Sequence, residues 1–147
     1  MNLNLLSYQD KIQTKKQNGK LWVRDSIRNK YLVLSPEEHV RQLLVLFLIE
    51  NGYNKNRIAI EREVRVNGMP KRFDILIYAQ DLSPFMLIEC KSPKVKINQQ
   101  VIDQVAVYNM SLKVPYLCVS NGLDTRIYQI DYINKSYISL ENFPHFK

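Results

Sequence analysis

Phe85-Met86-Leu87-Ile88-Glu89-Cys90-Lys91-Ser92-Pro93 is the stretch whose reading decides the fold. Four consecutive apolar residues predict a central strand covered on both faces. Two charged residues then extend it, and Ser92-Pro93 stops it. Residues two apart in a strand share a face, so Glu89 and Lys91 are expected on the side of Phe85 and Leu87, with Cys90 opposite. Ions on such a face cost several kcal/mol unless they are paired or hold a metal. The strand therefore maintains either a structural ion pair or a site.

Upstream, Arg57 to Val66 alternates apolar and charged residues, with a phase shift at Glu61-Arg62. Asn67-Gly68 is a turn, and Lys71 to Tyr78 returns as a second strand carrying Asp74. That connection is expected to be slightly longer than the tightest two-residue hairpin. Before these strands, Ser35-Pro36-Glu37-Glu38 starts a helix: a serine cap, proline at the first position and a glutamate three residues after the cap. The helix should run to about Glu50, where Asn51-Gly52 stops it. Val40 and the run from Leu43 to Ile49 cover nearly its whole circumference, which predicts burial.

Downstream, Asn98 can cap a helix over about 99–112, with Val101, Val105, Tyr108 and Leu112 on one face. Pro115 to Ser120 is expected as the next strand, Asn121-Gly122 as a turn, Thr125 to Asp131 as a further strand and Tyr137 to Leu140 as a weak last one. A helix between the third and fourth core strands permits a parallel crossover. The expectation is an α/β fold, a mixed β-sheet flanked by helices in the order αβββαβ.

At 147 residues, 46% hydrophobic and 10% aromatic, the chain has the size and core of one ordinary domain. Residues 1–20, with Lys15-Lys16-Gln17-Asn18-Gly19-Lys20, are expected as a flexible basic N-terminal segment, and 21–147 as the single domain. Leu21-Trp22-Val23 and Tyr31-Leu32-Val33-Leu34 are short strands suited to a hairpin. Lys and Arg number 21 against 14 Asp and Glu, a net charge of +7 that favours a polyanionic partner such as nucleic acid. Composition does not show whether those cations share a face.

The glycine pattern excludes a phosphate loop, because Gly19-Lys20 has Thr14 five residues before it and Leu21 after it; no ATP site is expected. The longest apolar run, Leu43 to Ile49, is far below the roughly 18 residues that cross a bilayer, and Met1 to Tyr8 lacks a signal pattern. A cytoplasmic protein without a membrane partner is expected. Cys90 and Cys118 lie in apolar segments and read as buried thiols, and His39 and His145 offer no Ser/His triad.

If the second and third core strands pair, Asp74 reaches the same end as Glu89. Two carboxylates there suit Mg²⁺, a hard cation that takes one or two carboxylates and keeps waters or phosphate oxygens for the rest. A lysine beside the metal can orient an attacking water and offset charge on a phosphate.

This Asp, then Glu-x-Lys arrangement resembles the PD-(D/E)XK nuclease superfamily, and the fuller text is similar to the N-terminal nuclease domain of type I restriction enzyme R subunits. The matching stretches are Ile27 to Tyr31, Leu34 to Gln42, Arg72-Phe73-Asp74-Ile75, Ile88 to Pro93, Gln104 to Asn109 and Val119 to Gly122. The resemblance implies a restriction-endonuclease-like core. It makes Asp74 and Glu89 metal ligands, with the carbonyl of Cys90 as a further one, and Lys91 the water-positioning base. Mg²⁺ is the implied cofactor, with Mn²⁺ as its substitute. Gln104 and Tyr108 look like a Gln-x-x-x-Tyr motif beside the active site, although core packing also accounts for Tyr108 on an apolar stripe. Glu38 matches a first-helix carboxylate near the metal, but its place in a capping box with Ser35 explains it locally. Phe73 stands where the superfamily has proline, which is not a ligand.

The function this implies is a Mg²⁺-dependent DNA endonuclease domain that hydrolyses phosphodiester bonds with a metal-activated water. DNA would be its substrate, and motor, specificity or modification subunits of a restriction system its partners. Two alternatives stand beside it. One is a partner-dependent or non-cleaving DNA-binding subunit with an idle nuclease site. The other is a basic α/β domain in which Glu89 and Lys91 form only an ion pair.

Overall fold

The structure, a computed structural model, describes residues 3–147 except for the side chains of Tyr108 and Ser111. Near the N-terminus, β1 (Thr14–Gln17), β2 (Lys20–Asp25) and β3 (Lys30–Val33) form an antiparallel sheet. Helix α1 (Pro36–Glu50) follows, then β4 (Ile58–Val66), β5 (Met69–Tyr78), β6 (Pro84–Cys90), helix α2 (Gln99–Leu112), β7 (Tyr116–Ser120), β8 (Thr125–Asp131) and β9 (Ser136–Leu140). Strands β4 to β9 build a second sheet in sequential order. Only β6 and β7 pair in parallel in that sheet, because α2 carries the chain back to the same end of the strands between them. The mixed sheet with flanking helices and the αβββαβ order are thus both present.

Two apolar cores lie on the faces of the large sheet. Val40, Leu44 and Leu48 of α1 pack with Ile75, Ile77, Met86 and Ile88 on one face. Ile102 and Val105 of α2 pack with Leu76, Leu87, Leu117 and Val119 on the other. From Met86 to Ile88 consecutive residues of β6 enter different cores, so its apolar run has no polar face to alternate with. Helix α1 is apolar on nearly all sides because it is covered twice. A 3-10 helix over Leu5–Lys11 lies across it, with Leu5 fully buried and Tyr8 set edge-on against Phe47. Residues 5–17 therefore carry a helix and a strand that pack on the domain, where the polar composition suggests a flexible lead-in.

Two local expectations change. The β4–β5 connection is the tight two-residue turn Asn67-Gly68, with Val66 paired to Met69 and both turn residues at positive φ, 52° and 76°. Phe85 packs in the α1-side core and Leu87 in the other, so Leu87 alone extends the face of Glu89 and Lys91. The register shift between Ile77 and Tyr78, opposite the start of β6, accompanies that exchange of faces. Among the described residues no helix is long and apolar enough to cross a membrane.

Candidate active site

Asp74 is set by an irregularity in the β4–β5 ladder. Pairing runs Ile60↔Ile75 and then Arg62↔Phe73, passing over Glu61 and Asp74, and Glu61 adopts a positive φ of 49°. This is the place where the sequence alternation changes phase. Freed from the ladder, the Asp74 side chain takes over a backbone role: its Oδ2 accepts the Cys90 N–H at 2.7 Å. That bond ties the middle of β5 to the end of β6, where Glu89 and Lys91 project.

The carboxyl groups of Asp74 and Glu89 are near enough to act on each other's ionisation. Burial is the largest cause raising both, and the charge of Asp74 adds to it at Glu89, which is pushed up to about 7. The positive charge of Lys91 offsets only part of this, its Nζ standing 3.7 Å from Glu89 Oε1. Asp74 is also raised, less strongly, because the Cys90 N–H and the charge of Arg41 favour its ionised form. Cys90 itself is buried, and burial holds its thiol well above the ordinary range, so its contribution here is the main chain.

On the α2 side, a cavity of about 300 Å³ is lined by Lys71, Arg72, Phe73, Glu89, Lys91 and Gln104. The structure thus brings Glu89, Lys91 and Gln104 to one cavity and ties Asp74 to Glu89 at its edge. Gln104 is exposed on α2, where its amide can meet a bound molecule. The side chain of Tyr108 lies outside the described residues.

Glu38 occupies a different position from either reading of the sequence. Ser35 Oγ does cap the helix by accepting the Glu38 N–H at 3.1 Å. The Glu38 carboxylate, however, accepts from both ends of the Arg41 guanidinium and from Gln42 Nε2 at 3.0 Å. Arg41, 7% exposed, also lies 3.4 Å from Glu61 and 3.7 Å from Asp74. Arg28 completes the network: it bonds Asp25 at 2.8 Å and Glu61 at 3.1 Å, and lies 3.6 Å from Glu38. Burial lowers the basicity of Arg41, but its bond to Glu38 and the charges of Glu38, Glu61 and Asp74 outweigh that and raise it. Glu38 accordingly reaches Asp74 through Arg41. Arg28, Arg41 and Glu61 were not singled out by sequence reasoning, although Arg28 and Arg41 sit inside the quoted stretches and Glu61 at the phase shift.

The family model described as type I restriction enzyme R protein N terminus (HSDR_N) matches residues 36–144. That is 109 of the 147 residues, from the first turn of α1 to the C-terminal tail. The chain belongs to the type I restriction enzyme R protein N-terminus family. Asp74, Glu89, Lys91 and Gln104 all fall inside this R-protein region, and the β1–β2–β3 sheet lies before it. Among solved structures, the chain is similar to a fragment of a protein described as the HsdR subunit of a type I restriction enzyme from Vibrio vulnificus YJ016. The match has a TM-score of 0.55 at 24% identity and covers 76% of this chain but 24% of that one. It shows a shared fold, of which this chain spans about a quarter of the other's length. No curated protein matches the chain significantly.

Proposed function

We propose that this R-protein N-terminal domain is a Mg²⁺-dependent endodeoxyribonuclease, with Asp74, Glu89 and Lys91 as its catalytic residues. The observation that carries the reading is that the Cys90 N–H ties Asp74 to the strand end where Glu89 and Lys91 line a cavity walled also by Lys71 and Arg72. Two half-buried carboxyls that raise each other's proton affinity are an arrangement that a divalent ion stabilises.

The residues fit such an ion. Both ligands offer oxygen, and both stand near cations, Asp74 3.7 Å from Arg41 and Glu89 3.7 Å from Lys91, that leave their oxygens open to a metal. Among the described residues no group of three or more His, Cys, Asp or Glu is gathered for a metal. One or two carboxylates completed by waters and phosphate oxygens is the set that Mg²⁺ uses. Asp74 and Glu89 would hold the ion, with the Cys90 carbonyl as a further ligand and Mn²⁺ as a substitute.

Bound there, the cation would supply an activated water and neutralise charge at the scissile phosphate. Lys91 orients that water and stabilises charge on the phosphate from its place beside Glu89. Lys71 and Arg72 at the cavity wall favour the approach of a polyanion, and Gln104 offers an amide to it. The Asp74–Cys90 bond holds the first ligand in register with the second. As a purely structural ion pair, Glu89 and Lys91 make a poor case. At 3.7 Å with side chains 26% and 31% exposed, they form a contact worth little to stability.

A second reading has its own support: the similar Vibrio chain is about four times as long as the part matched. On that reading the domain binds DNA but cuts only with motor, specificity or modification subunits. Cleavage of supercoiled and linear DNA by purified protein, with Mg²⁺, Mn²⁺ or chelator and beside Lys91→Ala, tests the proposal. Cutting that needs metal and Lys91 is expected; intact binding without cutting would favour partner dependence.

A further inference from the structure

The β1–β2–β3 sheet carries most of the chain's excess charge. Residues 11–30 hold seven of the 21 Lys and Arg and one of the 14 Asp and Glu, so six of the net +7 lie there. The one acid, Asp25, is fully buried and bound to Arg28, which leaves no exposed carboxylate in the segment. Among the described residues no carboxylate pairs with Lys15, Lys20 or Arg24.

Register places these cations among aromatics. Lys15 faces Trp22 and Trp22 faces Val33, while Arg24 faces Tyr31 and Lys20 faces Gln17. Facing and alternate residues share a side of a sheet, so Lys15, Lys20, Trp22, Arg24 and Tyr31 line one face. The opposite face is the inner one, with Val23 and Asp25 fully buried. On the outer face Lys15 Nζ lies 4.1 Å from the centre of the Tyr31 ring, and Val33 is 46% exposed. At the flank, a cavity of about 190 Å³ is lined by Lys11, Gln13, Arg24, Ser26 and, from α1, Gln42. Ser26 Oγ is buried there without a hydrogen-bond partner among the described residues. Lys11 is held by Glu50, so Arg24 is the cation this cavity offers an anion.

We propose that the outer face of the β1–β2–β3 sheet is a binding platform for single-stranded nucleic acid, with Lys15, Lys20 and Arg24 on the phosphates and Trp22 and Tyr31 stacking on bases. Cations alone would serve a duplex equally well. The aromatics decide for a single strand, whose bases expose the faces that a duplex buries. The platform lies before the family-matched region and does not depend on cleavage. Its β2–β3 turn places Arg28 against Glu61 and close to Glu38, in the ion-pair network that reaches Asp74.

Trp22 is the chain's single tryptophan, so its fluorescence reports on this face alone. The test titrates the full chain with oligothymidylate in chelator, so that cutting plays no part and a failed nuclease proposal leaves the outcome intact. Saturable quenching is expected, weakening as salt rises. The exposed triple variant Lys15→Gln/Lys20→Gln/Arg24→Gln should bind at least about tenfold more weakly, with a log–log salt slope shallower by about 2 for three lost phosphate contacts. Lys113→Gln/Lys135→Gln, remote from the sheet, should bind like the parent. Tyr31→Ala should weaken binding while leaving the salt slope unchanged. Absence of quenching, equal loss in the two charge variants, or tighter binding of a duplex of the same length would overturn the platform.

Discussion

Two charged clusters meet at Asp74, and burial is compensated differently in each. In the Arg41 cluster every carboxylate has a guanidinium: Glu38 is held by both ends of Arg41, Glu61 lies beside Arg41 and Arg28, and Asp25 is bound by Arg28. Charge of Arg41 and hydrogen bonds from Arg28 hold Glu61 below the usual carboxylate range against the opposing effect of burial, and Arg28 does the same for Asp25. In the Asp74–Glu89 pair, acid faces acid with one lysine at 3.7 Å, and both carboxyls rise. In the first cluster each carboxylate is already held by a guanidinium, whereas the second has one lysine at 3.7 Å and is completed by a proton or a cation. Arrangements of the first kind hold a structure together; those of the second kind are where chemistry is found.

The largest expected effect falls on the open pair. Asp74→Ala, Glu89→Ala and Lys91→Ala should each lower metal-dependent DNA cleavage at least about 1,000-fold, or about 4 kcal/mol, while circular dichroism shows folded protein. Full activity in all three variants would falsify the assignment. Next in size is the closed cluster. Arg41→Ala leaves Glu38 buried without its main partner and should cost about 3–5 kcal/mol in urea unfolding. A loss below about 1 kcal/mol would mean that the cluster is not closed by Arg41.

A smaller effect, of opposite sign, separates the two clusters by pH. An acid whose carboxyl is raised by folding favours the folded state only while protonated. The contribution of Glu89 is therefore present below its unfolded value near 4.5 and lost as pH rises through about 7. Glu89→Gln, neutral at every pH, should then be more stable than the parent at pH 8 in chelator, by about 1–2 kcal/mol, with the advantage vanishing near pH 4. Thermal melts at the two pH values check this, and identical curves at pH 8 would show that folding does not raise the Glu89 carboxyl. The smallest effect concerns Ser35, which caps α1 without the return bond of a capping box because Glu38 is engaged elsewhere. Ser35→Ala should cost about 1 kcal/mol in the same urea assay and leave cleavage unchanged.

Much of the fold was legible because it rests on local signals. Ser35-Pro36 and Asn98 mark the starts of α1 and α2, and both helices have the bounds their caps and apolar spacing predict. The apolar run of β6 marked the central strand, and a helix between β6 and β7 marked the parallel crossover. Less legible were features set by distant partners. The order of residues 5–17 depends on α1 needing a second cover, and Phe85 changes core because of a register shift in its neighbour.

For the candidate site, sequence alone determined which residue types are available and that Glu89 and Lys91 share a face, since strand geometry makes that a two-residue relation. The phase shift at Glu61-Arg62 even marked the kink that frees Asp74. Tertiary structure decided the rest: the Asp74–Cys90 bond, the contact of Asp74 with Glu89, the arrival of Gln104 from α2, and the turning of Glu38 toward Arg41 instead of its own helix end. The physical reason is that ionisation and ion pairing depend on distance and burial in three dimensions. Helix caps and strand faces depend on neighbours only a few residues away.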